Sequence, residues 1–140
     1  MISSLHLHNF KCFEDQDFPL RSLTLLTGLN STGKSSVLQS LLLLRQSFQE
    51  QILDITGLIL KGDLVSIGVG KDVLFESTKD EEISIGIFLP ELFSKPTTWR
   101  FKCDPVADVL PLIGTFSWPL GRFDAGPANH AFSHCAHLFI

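Results

Sequence analysis

The stretch from Leu23 to Phe48 constrains the fold of this chain more than any other part of the sequence. It reads without interruption as a short apolar strand, a glycine loop and an amphipathic helix. The run Leu23 to Leu26 is typical of a strand buried on both faces of a parallel sheet. After Ser35 the apolar residues recur at spacings of three and four, which predicts a helix with a broad apolar stripe. The stripe consists of Val37, Leu38, Leu41, Leu42, Leu44 and Phe48.

The loop between this strand and helix fits G-x-x-x-x-G-K-[ST] at Gly28, Gly33, Lys34 and Ser35. The two glycines let backbone N–H groups approach phosphate oxygens closely, and the helix start adds free N–H groups and a positive dipole end. Lys34 would contact the β- and γ-phosphates, and the Ser35 hydroxyl would join the Mg²⁺ shell. The pattern predicts a nucleotide polyphosphate and Mg²⁺ as ligands. The predicted contacts in the loop and at the helix start are Gly28, Ser31, Thr32, Gly33, Lys34, Ser35 and Ser36.

A simpler interpretation of the same loop is a glycine turn capped by a serine. The strand pattern before the loop and the helix pattern after it disfavour that alternative, because together they supply the context in which the phosphate-binding motif occurs.

Length and composition favour one domain with a real core. The chain has 140 residues, of which 44% are apolar and 19% charged, which excludes general disorder. A net charge of −4 gives no electrostatic footprint for nucleic acid. No apolar run reaches the roughly 18 residues of a membrane helix, and no leader pattern is present, so we expect a cytoplasmic protein without a membrane partner. The cysteines Cys12, Cys103 and Cys135 are widely spaced, which favours reduced thiols.

Two strands are expected before the loop. Residues from Met1 to Phe13 alternate around Leu5 and Leu7, which predicts a half-exposed strand ending near Asn9. A polar turn is predicted at 14–17, followed by an edge strand or connection at 18–21 because of its proline.

The opening strand and the loop together resemble the N-terminal lobe of ABC-class ATPases of the RecF, SMC and OLD (overcoming-lysogenisation-defect) kind. In that group the opening strand ends in Asn-Phe-(Arg or Lys), as at Asn9-Phe10-Lys11, and the loop reads Gly-x-Asn-x-x-Gly-Lys-Ser. The segment from Gly62 to Glu76 is also similar to bacterial members described as AAA-type ATPases. The resemblance implies that Lys11 lies near the nucleotide and that Asn30 lines the γ-phosphate end. From the strand pattern alone, Lys11 is a solvated lysine at a strand end.

Beyond the helix the pattern becomes β-rich. Short runs at 64–69, 73–76 and 83–89 predict an antiparallel meander. Trp99, Phe101 and Cys103 alternate with charged residues, which predicts another half-exposed strand, with Trp99 and Phe101 in the core rather than stacking on a base. In the family such strands form an antiparallel subdomain beside the nucleotide. From Pro105 onward, prolines and glycines favour an irregular tail. The pair His130 and His134 is at a metal-ligand spacing without an evident full ligand set.

The predicted fold is therefore α/β. It is the N-terminal lobe of a P-loop NTPase with an antiparallel β-subdomain, incomplete relative to the full ATPase head. The predicted boundaries are a lobe at 1–104, with the P-loop at 28–35, the first helix at about 34–49 and the β-rich subdomain at about 59–104, and an irregular tail at 105–140.

The predicted function is ATP and Mg²⁺ binding with little or no hydrolysis by this chain alone. Hydrolysis in this class requires a second strand that ends in acidic residues, and the sequence shows no such strand. The resemblance implies a role in DNA repair or phage defence, with a homodimer or a larger ATPase chain as partner and DNA by analogy only. One alternative is a truncated, non-catalytic module that docks on a full-length ATPase. Another is a small metabolite kinase, which the scarcity of arginine after the first helix disfavours.

Overall fold

One antiparallel sheet with a helix packed on it makes up the part of the chain that the computed structural model describes, residues 1–29, 32–92 and 94–117. The strands lie in the order β2-β1-β4-β5-β6-β3, and each recorded pair is antiparallel. The elements are β1 (Ser4–Phe10), β2 (Phe13–Pro19), α1 (Lys34–Gln49), β3 (Gly57–Ile59), a single 3₁₀ turn (Gly70–Asp72), β4 (Glu82–Phe88), β5 (Thr97–Lys102) and β6 (Val109–Ser117).

The core lies between the helix and one face of the sheet. Alternate residues of the central strands point into it, as expected for a sheet with one covered face. Its fully buried members include Leu5, Leu7, Leu43, Leu44, Ile83, Ile85, Trp99 and Phe101. Trp99 and Phe101 are therefore core residues, as the alternation on their strand predicted.

The opening hairpin confirms the first predicted strand and corrects the second. Leu5 and Leu7 of β1 are buried, whereas His6 lies on the outer face. The predicted polar turn at 14–17 is wrong, because these residues lie in β2. The chain reverses before them, at residues 11–12 between Phe10 and Phe13. The polar residues fit a strand because β2 is an edge strand whose acids face the histidines of β1. His6 pairs in register with Asp17, and their Nδ1 and Oδ1 atoms are 2.8 Å apart.

Helix α1 forms where the periodicity predicts it, but its buried face is more polar than the apolar stripe implies. Gln46 and Ser47 are buried and bond to the segment after the helix. Ser47 Oγ accepts a hydrogen bond from the Ile59 N–H at 2.8 Å, and Gln46 Nε2 donates to the Ile59 carbonyl at 2.8 Å. Leu38 of the predicted stripe is instead 56% exposed. The helix is thus fixed to β3 by polar contacts as well as by leucines.

The predicted buried strand at Leu23 to Leu26 is not formed. Leu23 is 88% exposed and Leu25 is 81% exposed, and no described strand pairs with this segment. A strand exists only where a neighbouring strand supplies hydrogen-bond partners. The described strands pair with one another in a single antiparallel sheet, so the parallel part of the predicted α/β fold is absent from the described residues.

The β-rich region is confirmed in part. Strands β4 and β5 match the runs predicted at 83–89 and around Trp99. The runs at 64–69 and 73–76 instead contribute only isolated bridges, Lys61 with Ser66 and Phe10 with Leu74. Strand β6 occupies part of the segment predicted to be irregular. It accommodates Pro111 opposite Gly57, and a register shift in the pairing of β5 with β6 lies near Gly114.

Candidate functional site

The glycine loop leads directly into an uncapped helix. Gly28 has φ 150° and Gly33 has φ 88°, which are backbone conformations that residues other than glycine adopt only with strain. Gly33 is the residue before α1, and its carbonyl accepts the first helical bond from the Val37 N–H at 3.1 Å. No side chain caps this end, and the first turn contains no acidic residue. The N–H groups of the first turn therefore form an anion-binding end with no competing carboxylate.

Lys34 lies across the same loop. Its Nζ donates hydrogen bonds to the carbonyls of Gly28 at 2.8 Å and Leu29 at 2.6 Å. Thr32 Oγ1 also donates to the Leu29 carbonyl, at 2.8 Å. The ammonium group is thus held beside the loop and the helix start, where a phosphate oxygen would meet it. The predicted contacts Asn30 and Ser31 lie outside the described residues.

The two serines at the start of α1 have different surroundings. Ser35 is exposed, so its hydroxyl is accessible to an ion held by a nucleotide at the loop. Ser36 is buried against the core side of the helix, which leaves its backbone N–H as the group that could serve a phosphate. Within the described ranges no cluster of three histidine, cysteine or acidic side chains is arranged to hold a metal. Mg²⁺ at this site would therefore depend on Ser35, water and the phosphates themselves. The pair His130 and His134 lies outside the described residues.

Lys11 is in the turn of the β1–β2 hairpin, with φ 53°. Its N–H donates to the Val73 carbonyl at 2.7 Å, which ties the turn to the segment after the 3₁₀ turn. Burial lowers the pKa of the Lys11 ammonium, and the electrostatic interactions with Asp72 and Cys12 oppose that shift. The turn that carries Lys11 is the part of the hairpin that meets the glycine loop.

Two residues at this junction are absent from the sequence motif. A Cβ placed on Gly33 would lie 2.5 Å from Cys12 Sγ and would overlap the tip of the Phe13 ring. Both side chains therefore cover the Cα of Gly33. The signal that could have found them is their position immediately after Lys11, which the family resemblance had already placed near the nucleotide.

A concave region of about 810 Å³ lies on the outer face of the sheet, away from the glycine loop. Its lining includes His8, Glu82, Ser84 and Arg100, and it contains none of the loop residues. Arg100 is ion-paired with Glu82 there. Cationic and acidic side chains are equally represented in its lining, so it offers no net attraction for a polyphosphate. The electrostatics and the free N–H groups favour the glycine loop as the functional site.

These features describe a domain in which a glycine loop leads into the uncapped start of its helix. The family described as AAA ATPase domain matches residues 1–99, which is more than half of the chain. The chain belongs to this family and corresponds to the N-terminal part of an AAA-type ATPase, which confirms the resemblance drawn from the opening strand and the loop.

Among curated proteins, the chain is similar to the OLD nuclease of Thermus scotoductus (strain ATCC 700910 / SA-01). The two are 42% identical over 41 residues, which is 29% of this chain and 8% of the nuclease. The chain thus matches less than a tenth of the length of that relative. No solved structure matches the chain. Within the described residues, no helix has the length and apolarity needed to cross a bilayer.

Proposed function

We propose that this chain binds ATP with Mg²⁺ through the loop from Gly28 to Ser35. The observation that carries the proposal is that two electropositive groups lie at one loop: the N-terminus of α1 and the Lys34 ammonium. The uncapped N-terminus of α1 directs free N–H groups at the loop, and the Lys34 ammonium is held beside it by the carbonyls of Gly28 and Leu29. Membership of the AAA ATPase domain family supports a nucleotide as the anion.

We infer that the chain alone hydrolyses ATP poorly. Phosphoryl transfer in this class needs a carboxylate that holds Mg²⁺ and a group that orients water. Ser35 is the one Mg²⁺ ligand that the sequence predicts, and among the described residues no three histidine, cysteine or acidic side chains are grouped to hold a metal. Binding and turnover should therefore separate in this chain.

The experiment is equilibrium binding of a fluorescent, non-hydrolysable ATP analogue with Mg²⁺, alongside a phosphate-release assay with ATP. Lys34→Ala should raise Kd by about ten- to a hundredfold, as expected for the loss of a charged hydrogen-bond donor. Lys79→Ala is the matched control, because Lys79 is exposed and lines the outer cavity instead of the loop. No binding by the folded wild-type chain, or binding that Lys79→Ala abolishes and Lys34→Ala does not, would rule out the loop as the nucleotide site.

The wider role follows by analogy. We propose that the chain acts with a second copy or with a larger ATPase chain in DNA repair or phage defence, with DNA as a further partner. The support is the similarity to the OLD nuclease over 41 residues. A dependence of binding on chain concentration, measured by sedimentation with the analogue present, tests self-association.

A second candidate function is a non-catalytic module that docks on a full-length ATPase of this family. The exposure of Leu23, Leu25 and Leu38, which flank the glycine loop in the sequence, favours it, because exposed apolar side chains are typical of contact surfaces. Co-elution with the full-length Thermus scotoductus relative tests it. Docking should survive Lys34→Ala and be lost in Leu25→Asp. The nucleotide-binding proposal expects the reverse order of effects on analogue binding.

A further inference from the structure

The turn of the β1–β2 hairpin, residues 11–13, is packed against the glycine that begins helix α1. The nearest side-chain atoms to the missing Cβ of Gly33 are Phe13 Cζ, Cys12 Sγ at 2.5 Å and Phe13 Cε2 at 3.0 Å. A glycine is therefore required at this position for two reasons: its φ of 88° and the absence of space beside it. The contact joins two parts of the chain that are far apart in sequence.

The turn is itself held in place from the other side. The Lys11 N–H donates to the Val73 carbonyl at 2.7 Å, and the Phe75 N–H donates to the Asn9 carbonyl at 2.9 Å. Within the hairpin, the Phe13 ring packs edge-on against Phe18, with ring centroids 5.1 Å apart. The side chains that touch Gly33 thus project from a turn fixed by backbone bonds and by an aromatic contact.

We propose that Phe13 and Cys12 are positioning residues for nucleotide binding. They hold Gly33 in its left-handed conformation, so that the N–H groups of the first turn of α1 and the Lys34 ammonium point at one phosphate position. The proposal rests on the proposed nucleotide-binding function and assigns to the hairpin turn a role that the loop motif does not contain. Removal of the Phe13 ring lets Gly33 sample other conformations, since glycine alone imposes none.

The first test compares Phe13→Ala with Ile87→Ala. Ile87 is a buried apolar residue of strand β4, and none of its atoms is among those nearest to Gly33. Kd for the fluorescent ATP analogue and the thermal midpoint are measured for both variants. Phe13→Ala should raise Kd by about tenfold, the equivalent of one misplaced hydrogen bond to a charged group. Ile87→Ala should lower the thermal midpoint and leave Kd within about twofold.

The second test uses Cys12 as a reporter in the full chain carrying Cys135→Ser. Cys12 is exposed, whereas Cys103 is buried. Burial, together with the neighbouring charges of Asp104 and Glu81, raises the pKa of the Cys103 thiol to about 11, which keeps it protonated and slow to react. The rate of reaction with the disulfide reagent 5,5′-dithiobis(2-nitrobenzoate) therefore reports on Cys12.

The analogue and Mg²⁺ are added at about ten times Kd, and the reaction of Cys12 should then slow by about tenfold. In the bound chain the fixed Gly33 would hold the Cys12 side chain in place, so the reaction would proceed mainly in the roughly one tenth of the chain that remains free of analogue. The same addition should slow the reaction by no more than about twofold in the Lys34→Ala chain, because its higher Kd leaves at least half of that chain free. A purely structural role of the turn would not link the reactivity of Cys12 to the nucleotide.

The outcomes separate the two proposals. If the wild-type chain does not bind the analogue, the nucleotide-binding function fails and the positioning role fails with it, before any hairpin variant is examined. If the wild-type chain binds and Lys34→Ala raises Kd by tenfold or more, the function stands. An unchanged Kd in Phe13→Ala, or an unchanged Cys12 rate on saturation with analogue, then overturns the positioning role alone. If Phe13→Ala does not fold, the Cys12 rates decide.

Discussion

Asp54 carries a titratable carboxyl group in a half-buried position after helix α1. Burial raises the pKa of this carboxyl above its ordinary value of 3.8, and the Trp99 indole N–H opposes the shift only in part. A raised folded-state pKa means that the folded chain favours the protonated acid. The associated stabilisation is complete below the unfolded-state pKa and is lost as the pH rises through the folded-state value.

Asp54→Asn should therefore increase the free energy of unfolding at neutral pH, because the amide has no charge to bury. The advantage should disappear as the pH falls below 3.8, the ordinary value for this group. Urea denaturation of both chains at the two pH values measures it. Asp63→Asn, at an exposed aspartate, should change the free energy of unfolding by less than about 0.5 kcal/mol at either pH. A wild-type advantage at neutral pH would contradict the assignment.

At the same scale, the sequence identified the parts of the candidate site that local chemistry defines. Lys34 and the glycines are recognisable because phosphate binding demands those residue types at that spacing. Phe13 was not recognisable as part of the site, because its contact with Gly33 depends on how the hairpin packs on the helix. The burial of Ser36 is also set by packing, because the motif does not specify which side of the helix faces the core.

Helix α1 shows how one element depends on a few buried polar bonds. Ser47 Oγ accepts from the Ile59 N–H and donates to the Leu43 carbonyl, each at 2.8 Å. Ser47→Ala should lower the free energy of unfolding by about 1–3 kcal/mol, because the Ile59 N–H would lose its acceptor in a partly buried position. Chemical denaturation measures the change. Gln49→Ala, at an exposed position of the same helix, is the control and should stay within about 0.5 kcal/mol.

In the segment from Leu23 to Leu26, by contrast, we expect a substitution to have little effect on stability. Since Leu25 is 81% exposed, Leu25→Ser should change the free energy of unfolding by less than about 0.5 kcal/mol. Leu43→Ala, in the core, should cost about 2–5 kcal/mol. Both are read from the same denaturation curves. A loss of more than about 2 kcal/mol in Leu25→Ser would show that this segment is packed in the folded chain.

Elements defined by local periodicity were predicted well, and those that depend on a distant partner were not. The alternation in β1, β4 and β5 and the helical spacing in α1 are properties of the residues themselves. The apolar run at Leu23 predicts a strand, but only a neighbouring strand makes it one. Strand β6 was missed because Pro111 and Gly114 read as breakers, whereas an antiparallel sheet can absorb them at an edge pairing and a register shift.

For the molecule as a whole, the described residues form a single antiparallel sheet covered by one helix on its core face. The family match identifies the class of protein, and the uncapped helix start beside the glycine loop supports the proposed phosphate binding. The predicted α/β architecture includes a parallel layer that the described residues do not contain. Helix α1 and strands β4 and β5 were predicted because their apolar spacing is a property of their own residues, whereas the order of the strands depends on pairing between distant segments such as β1 and β4.

The central claim is that the first turn of α1 holds a nucleotide phosphate with its backbone N–H groups. Hydrogen exchange of the full chain, followed by mass spectrometry with Mg²⁺ and either a non-hydrolysable ATP analogue or adenosine, tests it most directly. Slower exchange at Gly33 to Ser36 with the triphosphate, and no change with adenosine, is the predicted result. Unchanged exchange there, or protection confined to the outer cavity around Glu82 and Ser84, would contradict the claim.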